Sequence, residues 1–367
     1  MSSQRVKLVE PYIDFDDVES ELRDIFDSGQ FTRGVNVSRF IKALSEYTGA
    51  RHAFLTTSAT TALSLCLKVL GIGAGDKVAI SDFSFPATAN VVEDLGAIPV
   101  FVDVDRDTYN MSARDLRNKI DSVKAVIFVD AFGCPSSLLE IQQICRAKRI
   151  PLVEDAACGL GSSVQGVKVG AIADMTCFSF HPRKLLTTGE GGAITTNNPQ
   201  YAEALEIKLN HGARGVRGVG ADFIDYGYNY RMSEFQALLG WKQLARLDSV
   251  IERRQTMMAR YMGLLGNHGF ARQSVDAGYI HNVQSIVLTV PAGIYRDVLI
   301  DRLNTVNIES TLGTYSLSAT SYYAKKYQRI QPNSQWLEQN TITLPCHDNV
   351  DVGRVCDAIV EFVSGAT

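Results

Sequence analysis

Between residues 53 and 210, short apolar runs alternate with amphipathic stretches, and few folds accept that rhythm. The runs AFLTT (53–57), KVAIS (77–81), IPVFVDV (98–104), AVIFVDA (125–131) and PLVEDA (151–156) all have strand length. Between them stand TALSLCLKVLG, ATANVVEDLG, a stretch near 114–120 and another reaching about Ala147, each with helical spacing. Strands apolar on both sides and separated by helices predict an α/β unit whose sheet is largely parallel and buried on both faces. MTCFSF and GAITT extend that sheet ahead of a helix at about 200–210. An earlier helix is expected from Asp16 to Phe26, where Val18, Leu22, Ile25 and Phe26 follow an Asp cap.

The character changes beyond Gly227. A long helical pattern runs from Ser233 to about Leu265, followed by NVQSIVLTV, RDVLIDRLN, TITLP and a last helix near 351–364. The chain therefore divides into a large α/β unit over 1–240 and a smaller α+β unit over 241–367, hinged on the long helix. Its 367 residues suffice for a core in each.

Composition removes several classes of function. A net charge of −4 provides no basic field for nucleic acid. No run approaches the ~20 apolar residues of a membrane span. The opening MSSQRVKLVEPYIDF lacks the apolar stretch of a secretory signal, so a cytoplasmic location is expected. The seven cysteines are scattered and never form a CxxC pair, which argues against a disulfide framework and against a metal site.

Three pieces of the α/β unit carry chemistry. In VEDAACG, Asp155 stands at the carboxyl end of a strand, where open α/β sheets bind ligands; an ordinary helix cap is the bland alternative. In CFSFHPRKLLTTGEGGAITT, Lys184 lies in a loop between two strands, followed by Gly189, Glu190, Gly191 and Gly192. A lone loop lysine is usually a solvated charge, but glycines behind it permit positive φ and close backbone approach. In SATTAL, Ser58, Ala59 and Thr60 lead into a helix whose amides favour an anion, or whose Ser58 is a plain N-cap. A lysine to condense with an aldehyde, an acid to hold a pyridine nitrogen protonated and a helix end for a phosphate are the three demands of pyridoxal phosphate (PLP). GIGAGD (71–76) looks like part of a dinucleotide fingerprint, but it follows a helix and precedes a strand, so it reads as a turn.

The stretches SATTAL, SDFSFPATAN, EDAAC, SFHPRKLLTTGEGG and GYNYRMSE together closely resemble those of the DegT/DnrJ/EryC1/StrS family of sugar aminotransferases. The likeness runs from about residue 8 to about residue 348. It implies the type I PLP (aspartate-aminotransferase-like) fold, with Lys184 as the catalytic, cofactor-bearing lysine and proton shuttle, and Asp155 paired with the pyridine nitrogen. It further implies that Phe85 stacks on the ring and that Thr60 and Ser179 hold the phosphate with the amide of Ala59. Asn229 of GYNYRM is implied to reach the cofactor of a second subunit, hence a homodimer with shared active sites. Arg231, Tyr315 and His181 are the candidate substrate contacts, although His181 also reads as loop packing. Three positions depart from the family pattern. Ala59 replaces a usual Gly, Cys158 stands where Gln or His meets the cofactor, and Thr314 in GTYSLS replaces a His that faces the sugar. Dehydratases of this fold carry His in place of the lysine, so Lys184 points to transamination. The resemblance thus implies transfer of an amino group from an amino acid, L-glutamate, to C3 or C4 of a nucleotide-linked keto-deoxy sugar. Amino-sugar biosynthesis for surface polysaccharide, O-antigen included, is the implied setting. An aminocyclitol precursor or another keto sugar, and a non-catalytic regulatory protein of this fold, are the alternatives.

Overall fold

The computed structural model describes residues 4–366. Seven strands form the central sheet: β1 (His52–Thr56), β2 (Lys77–Ser81), β3 (Ile98–Val102), β4 (Ala125–Val129), β5 (Leu152–Asp155), β6 (Met175–Ser179) and β7 (Gly192–Thr196). Their order is β1-β7-β6-β5-β4-β2-β3, parallel from β6 to β3 and antiparallel at β6–β7 and β7–β1. The expected sheet is therefore present, with its lysine loop lying between β6 and the antiparallel β7.

Residue alternation sends side chains to two cores. Ile80, Ile127, Val153 and Ile194 lie on one face, while Ala79, Val126, Phe128 and Leu152 lie on the other. Helices precede and cover these faces in chain order: α1 (Glu19–Ser28), α2 (Val35–Thr48), α3 (Ala59–Val69), α4 (Ala87–Asp94), α5 (Ala113–Lys119), α6 (Leu138–Lys148) and α7 (Pro199–Leu209). Leu63 of α3, Val91 of α4 and Leu205 of α7 fill the first core, and Leu116 of α5 and Ile141 of α6 fill the second. Burying both faces is what makes the strand sequences read as continuous apolar runs. Helix α2 has no capping side chain of its own. Instead the buried carboxylate of Glu234 accepts hydrogen bonds from the amides of Gly34, Asn36 and Val37 at 2.7, 2.8 and 3.1 Å.

The single helix expected over Ser233–Leu265 is two helices, α8 (Glu234–Leu244) and α9 (Leu247–Leu265). Arg246 leaves helical geometry at φ −107°, with its guanidinium on the Tyr12 carbonyl at 2.6 Å. Neither Gly nor Pro marks this break, so the apolar periodicity runs straight through it. After the break, Leu247 and Ile251 pack with Phe40 and Phe178, whereas Met258, Tyr261 and Leu265 enter the C-terminal core.

That core lies under a second sheet of β8 (Ala271–Arg272), β9 (Ile286–Thr289), β10 (Thr311–Leu312) and β11 (Thr341–Leu344), ordered β8-β9-β11-β10. Leu299 and Leu303 of α10 (Arg296–Thr305) and residues Val355 and Ile359 of the last helix (Val352–Ala366) fill it. Val6 joins the same core and bridges to Ile308. A buried carboxylate ties the end of the central sheet to the C-terminal unit: Asp82, just past β2, accepts from Ser316 Oγ at 2.9 Å and from Ser318 N and Oγ at 2.7 and 2.8 Å. No helix among the described residues is long and apolar enough to cross a membrane.

Candidate active site

A cavity of about 530 Å³ opens at the carboxyl ends of the parallel strands and is closed by the C-terminal unit. Ala59, Thr60, Phe85, Asp155, Cys158, Ser179, His181 and Lys184 all line it. Eight residues scattered over 126 positions of sequence thus converge because β-strand ends and the first turn of α3 face one space. This is the binding geometry expected of an open parallel sheet.

Asp155 ends β5 and is buried. Its Oδ2 accepts from Thr88 Oγ1 at 2.8 Å and its Oδ1 from the Ala157 amide at 3.3 Å. Thr88 is in turn paired with Ser84 Oγ at 2.8 Å. Burial raises the carboxyl above its ordinary range, and the Thr88 and Ala157 hydrogen bonds and the Lys184 charge oppose that rise.

Lys184 sits in the loop after β6, and its Nζ lies 3.1 Å from Cys158 Sγ. The loop is gripped from the C-terminal unit by one side chain. Gln284 Nε2 donates to the Arg183 carbonyl at 2.6 Å, and its Oε1 accepts from the Leu185 amide at 3.0 Å. The two residues flanking the lysine are therefore fixed by a single amide. Asn282, two residues before Gln284, donates to the Cys158 and Leu160 carbonyls at 2.7 and 2.8 Å. One short segment thus holds both the acid's turn and the lysine's loop.

The glycines behind the lysine divide their tasks. Gly189 has φ +81°, a conformation that disfavours a side chain. At Gly192 a Cβ would lie 2.4 Å from the Ser58 carbonyl carbon and 2.6 Å from the Ala59 nitrogen. The close approach foreseen for this run is made to the chain's own backbone at the start of α3. Ser58 is the N-cap there, accepting from Thr61 N at 3.1 Å, which leaves Ala59 and exposed Thr60 facing the cavity.

Three of the sequence candidates lie outside this space. Asn229 is exposed on the segment before α8, flanked by Tyr228 and Tyr230, whose rings stack at 4.9 Å. Arg231 is partly buried, and its Nη1 has no hydrogen-bond partner among the described residues. Tyr315 does not line the cavity but stands with its ring 6.5 Å from that of Phe85, while its neighbour Thr314 does line it. His181 is in the wall, its Nδ1 accepting from the Arg183 amide at 3.2 Å, and burial lowers its pKa.

Sequence reasoning passed over Thr88, Asp130, Gln284 and Arg254, all of which line the cavity. Asp130 carries the same signal that singled out Asp155, an acid at the end of an apolar strand run. Gln284 carries none, since its partners lie 101 and 99 residues away.

Comparison with known proteins gives this arrangement its class. The model of the DegT/DnrJ/EryC1/StrS aminotransferase family matches residues 13–362. Spr1654 of Streptococcus pneumoniae, solved in a PLP form and a PMP form, superposes with a TM-score of 0.92 at 27% identity, over 99% of this chain and 100% of its own. DesI, solved in the presence of its TDP-sugar product, superposes at 0.89 with 25% identity, over 99% of this chain and 94% of its own. The fold is the type I PLP aminotransferase fold. The chain belongs to the DegT/DnrJ/EryC1/StrS aminotransferase family. A relative in Methanocaldococcus jannaschii, the uncharacterized protein MJ1066, is 31% identical over 94% of this chain and 95% of its own length.

Proposed function

We propose that this aminotransferase moves an amino group from L-glutamate to a nucleotide-linked keto-deoxy sugar, with PLP as its cofactor. The observation that carries the reading is the convergence of Lys184, buried Asp155 and the start of α3 on one cavity. The residues fit the cofactor. Among the described residues Asp155 Oδ1 has only a 3.3 Å amide partner and Lys184 Nζ only a thiol, so both keep capacity for a ligand. When bound, PLP supplies an electrophilic aldehyde and a ring that withdraws electrons.

The chain's residues then have distinct tasks. Thr60, Ser179 and the Ala59 amide hold the phosphate at the positive end of α3. Phe85 would cover the ring, and Cys158, 3.1 Å from Lys184 Nζ, would stand beside the cofactor. Asp155 keeps a proton on the ring nitrogen, with Thr88 fixing the carboxylate's orientation. Lys184 Nζ takes the proton from the donor's α-carbon and returns it on the acceptor side, the work of a positioned general base and acid. His181, Arg231 and Tyr315 contact the substrates. Asn229, exposed beside Phe223, Ile224 and Tyr226, reaches the cavity of a second copy in a homodimer. The retained lysine favours amination over dehydration. A sugar bearing a nucleotide is supported by the likeness to DesI, whose structure holds such a product.

The test is a panel of nucleotide-linked 3-keto and 4-keto sugars offered with glutamate, read as 2-oxoglutarate formed. Turnover with one ring position and not the other assigns the carbon. No turnover with any nucleotide sugar, alongside turnover of a free keto cyclitol, would sink the sugar assignment.

A further inference from the structure

Among the cavity groups that the roles above leave unused is one buried acid. Asp130 follows β4, is 1% exposed, lines the cavity, and neither of its carboxyl oxygens has a hydrogen-bond partner among the described residues. A buried carboxylate with no donor at either oxygen is too costly to persist as an anion. The same accounting finds a second orphan next to it. Glu154 is fully buried, its Oε2 accepts from Thr176 Oγ1 at 2.7 Å, and its Oε1 has no partner.

The sheet register places these orphans together. β4 and β5 run parallel with Phe128 beside Glu154 and Val129 beside Asp155. Alternation continued by one residue returns Asp130 to the face that carries Glu154. The Asp130 amide donates to the Asp155 carbonyl at 3.2 Å, so the three acids lie on two adjoining strand ends. Gly159 leaves room for this carboxyl, since a Cβ there would lie 2.2 Å from Asp130 Oδ2.

We propose that Asp130 and Glu154 share one proton, with Asp130 the neutral acid that donates to Glu154 Oε1, and that this pair positions the ionised Asp155. Sharing satisfies both orphans with one proton and leaves an Asp130 oxygen facing the cavity. It also keeps a further negative charge from the neighbourhood of Asp155, so Asp155 stays the anion that the ring nitrogen requires. Asp130 acts through Asp155 and is a positioning residue. Burial is the main force holding its proton on, and the charges of Glu154, Asp155 and Cys158 add to it. Cys134 also faces it, and Lys184 bears on it through Asp155.

The inference rests on Asp155 as the acid under the ring, and its first test uses the full chain without cofactor or substrate, so it can fail separately from the sugar assignment. An acid that keeps its proton in the folded state binds more protons folded than unfolded, so its stability contribution falls as pH rises above the unfolded carboxyl range. Asp130→Asn keeps a neutral donor to Glu154 and escapes that loss. It should match the natural chain near pH 4 and melt about 1–3 °C higher at pH 7, and its infrared spectrum should lack one protonated-carboxyl band. Asp130→Ala removes the donor and should melt lower than Asp130→Asn at every pH. With PLP bound, Asp130→Asn should leave the pH midpoint of the near-visible absorbance in place, and Asp130→Ala should move it. An Asp130→Asn chain that melts progressively lower than the natural one as pH rises, or that retains every protonated-carboxyl band, overturns the proposal.

Discussion

The strand-end wall of the cavity and the wall formed by the C-terminal unit differ in how their polar groups are held. On the strand side, Asp155 is pinned by Thr88, Thr88 by Ser84, and the proposed Asp130–Glu154 proton fills the next gap. These groups are all buried. On the other side, Thr311, Gly313 and Thr314 line the same space from short strands and turns, with Leu8 and Val9 from the N-terminal segment. Thr314 is part-exposed on this wall. A rigid inner wall suits a reaction common to every substrate, and a loosely held outer wall suits the choice among substrates.

Substitutions can break that contrast. Lys184→Ala should lower turnover by at least about 10³-fold, within the range for a lost general base, and should abolish the near-visible band formed on adding PLP. Asp155→Asn keeps the shape but cannot hold a ring proton as an anion; turnover should fall on the order of 10²-fold, with the amino-acid half-reaction affected as strongly as the sugar half. If only the sugar half slowed, the inner wall would not be common ground. Gln284→Ala frees the backbone on both sides of Lys184, and a displaced lysine should cost roughly 30-fold in turnover with little change in KM. Thr88→Val leaves one Asp155 oxygen without its donor, a penalty of about 1–3 kcal/mol, read as roughly a tenfold drop in turnover and weaker PLP retention. Thr314→His should change kcat/KM among nucleotide sugars by about 10-fold or less while single-turnover reaction with glutamate stays unchanged. A slower glutamate reaction in that variant would erase the distinction between the walls.

The same contrast governs what could be read before the structure. Asp155 was legible because it sits at the end of a strand whose apolar run is a local signal, whereas Lys184, in the loop after β6, was legible only in combination with Asp155, the glycine run and the start of α3. Asp130 satisfied the same rule and was passed over, so that gap lies in applying the rule. Gln284 and Arg254 had no local signature, since each is useful only through a contact with distant backbone. The break at Arg246 was hidden because neither Gly nor Pro marks it, and the residue's side chain binds the Tyr12 carbonyl, 234 residues earlier. Asn229 and Arg231 were placed by resemblance alone, and neither lines the cavity of a single copy.

At Gly192 the first residue of β7 presses on the backbone of Ser58 and Ala59 with no room for a side chain. The spacing between the start of α3 and the strand that follows the lysine loop is therefore set by main chain against main chain, like a gauge block. Side chains of the outer wall, such as Thr314, can be exchanged without touching that contact, so a change of substrate need not disturb the main chain behind Lys184.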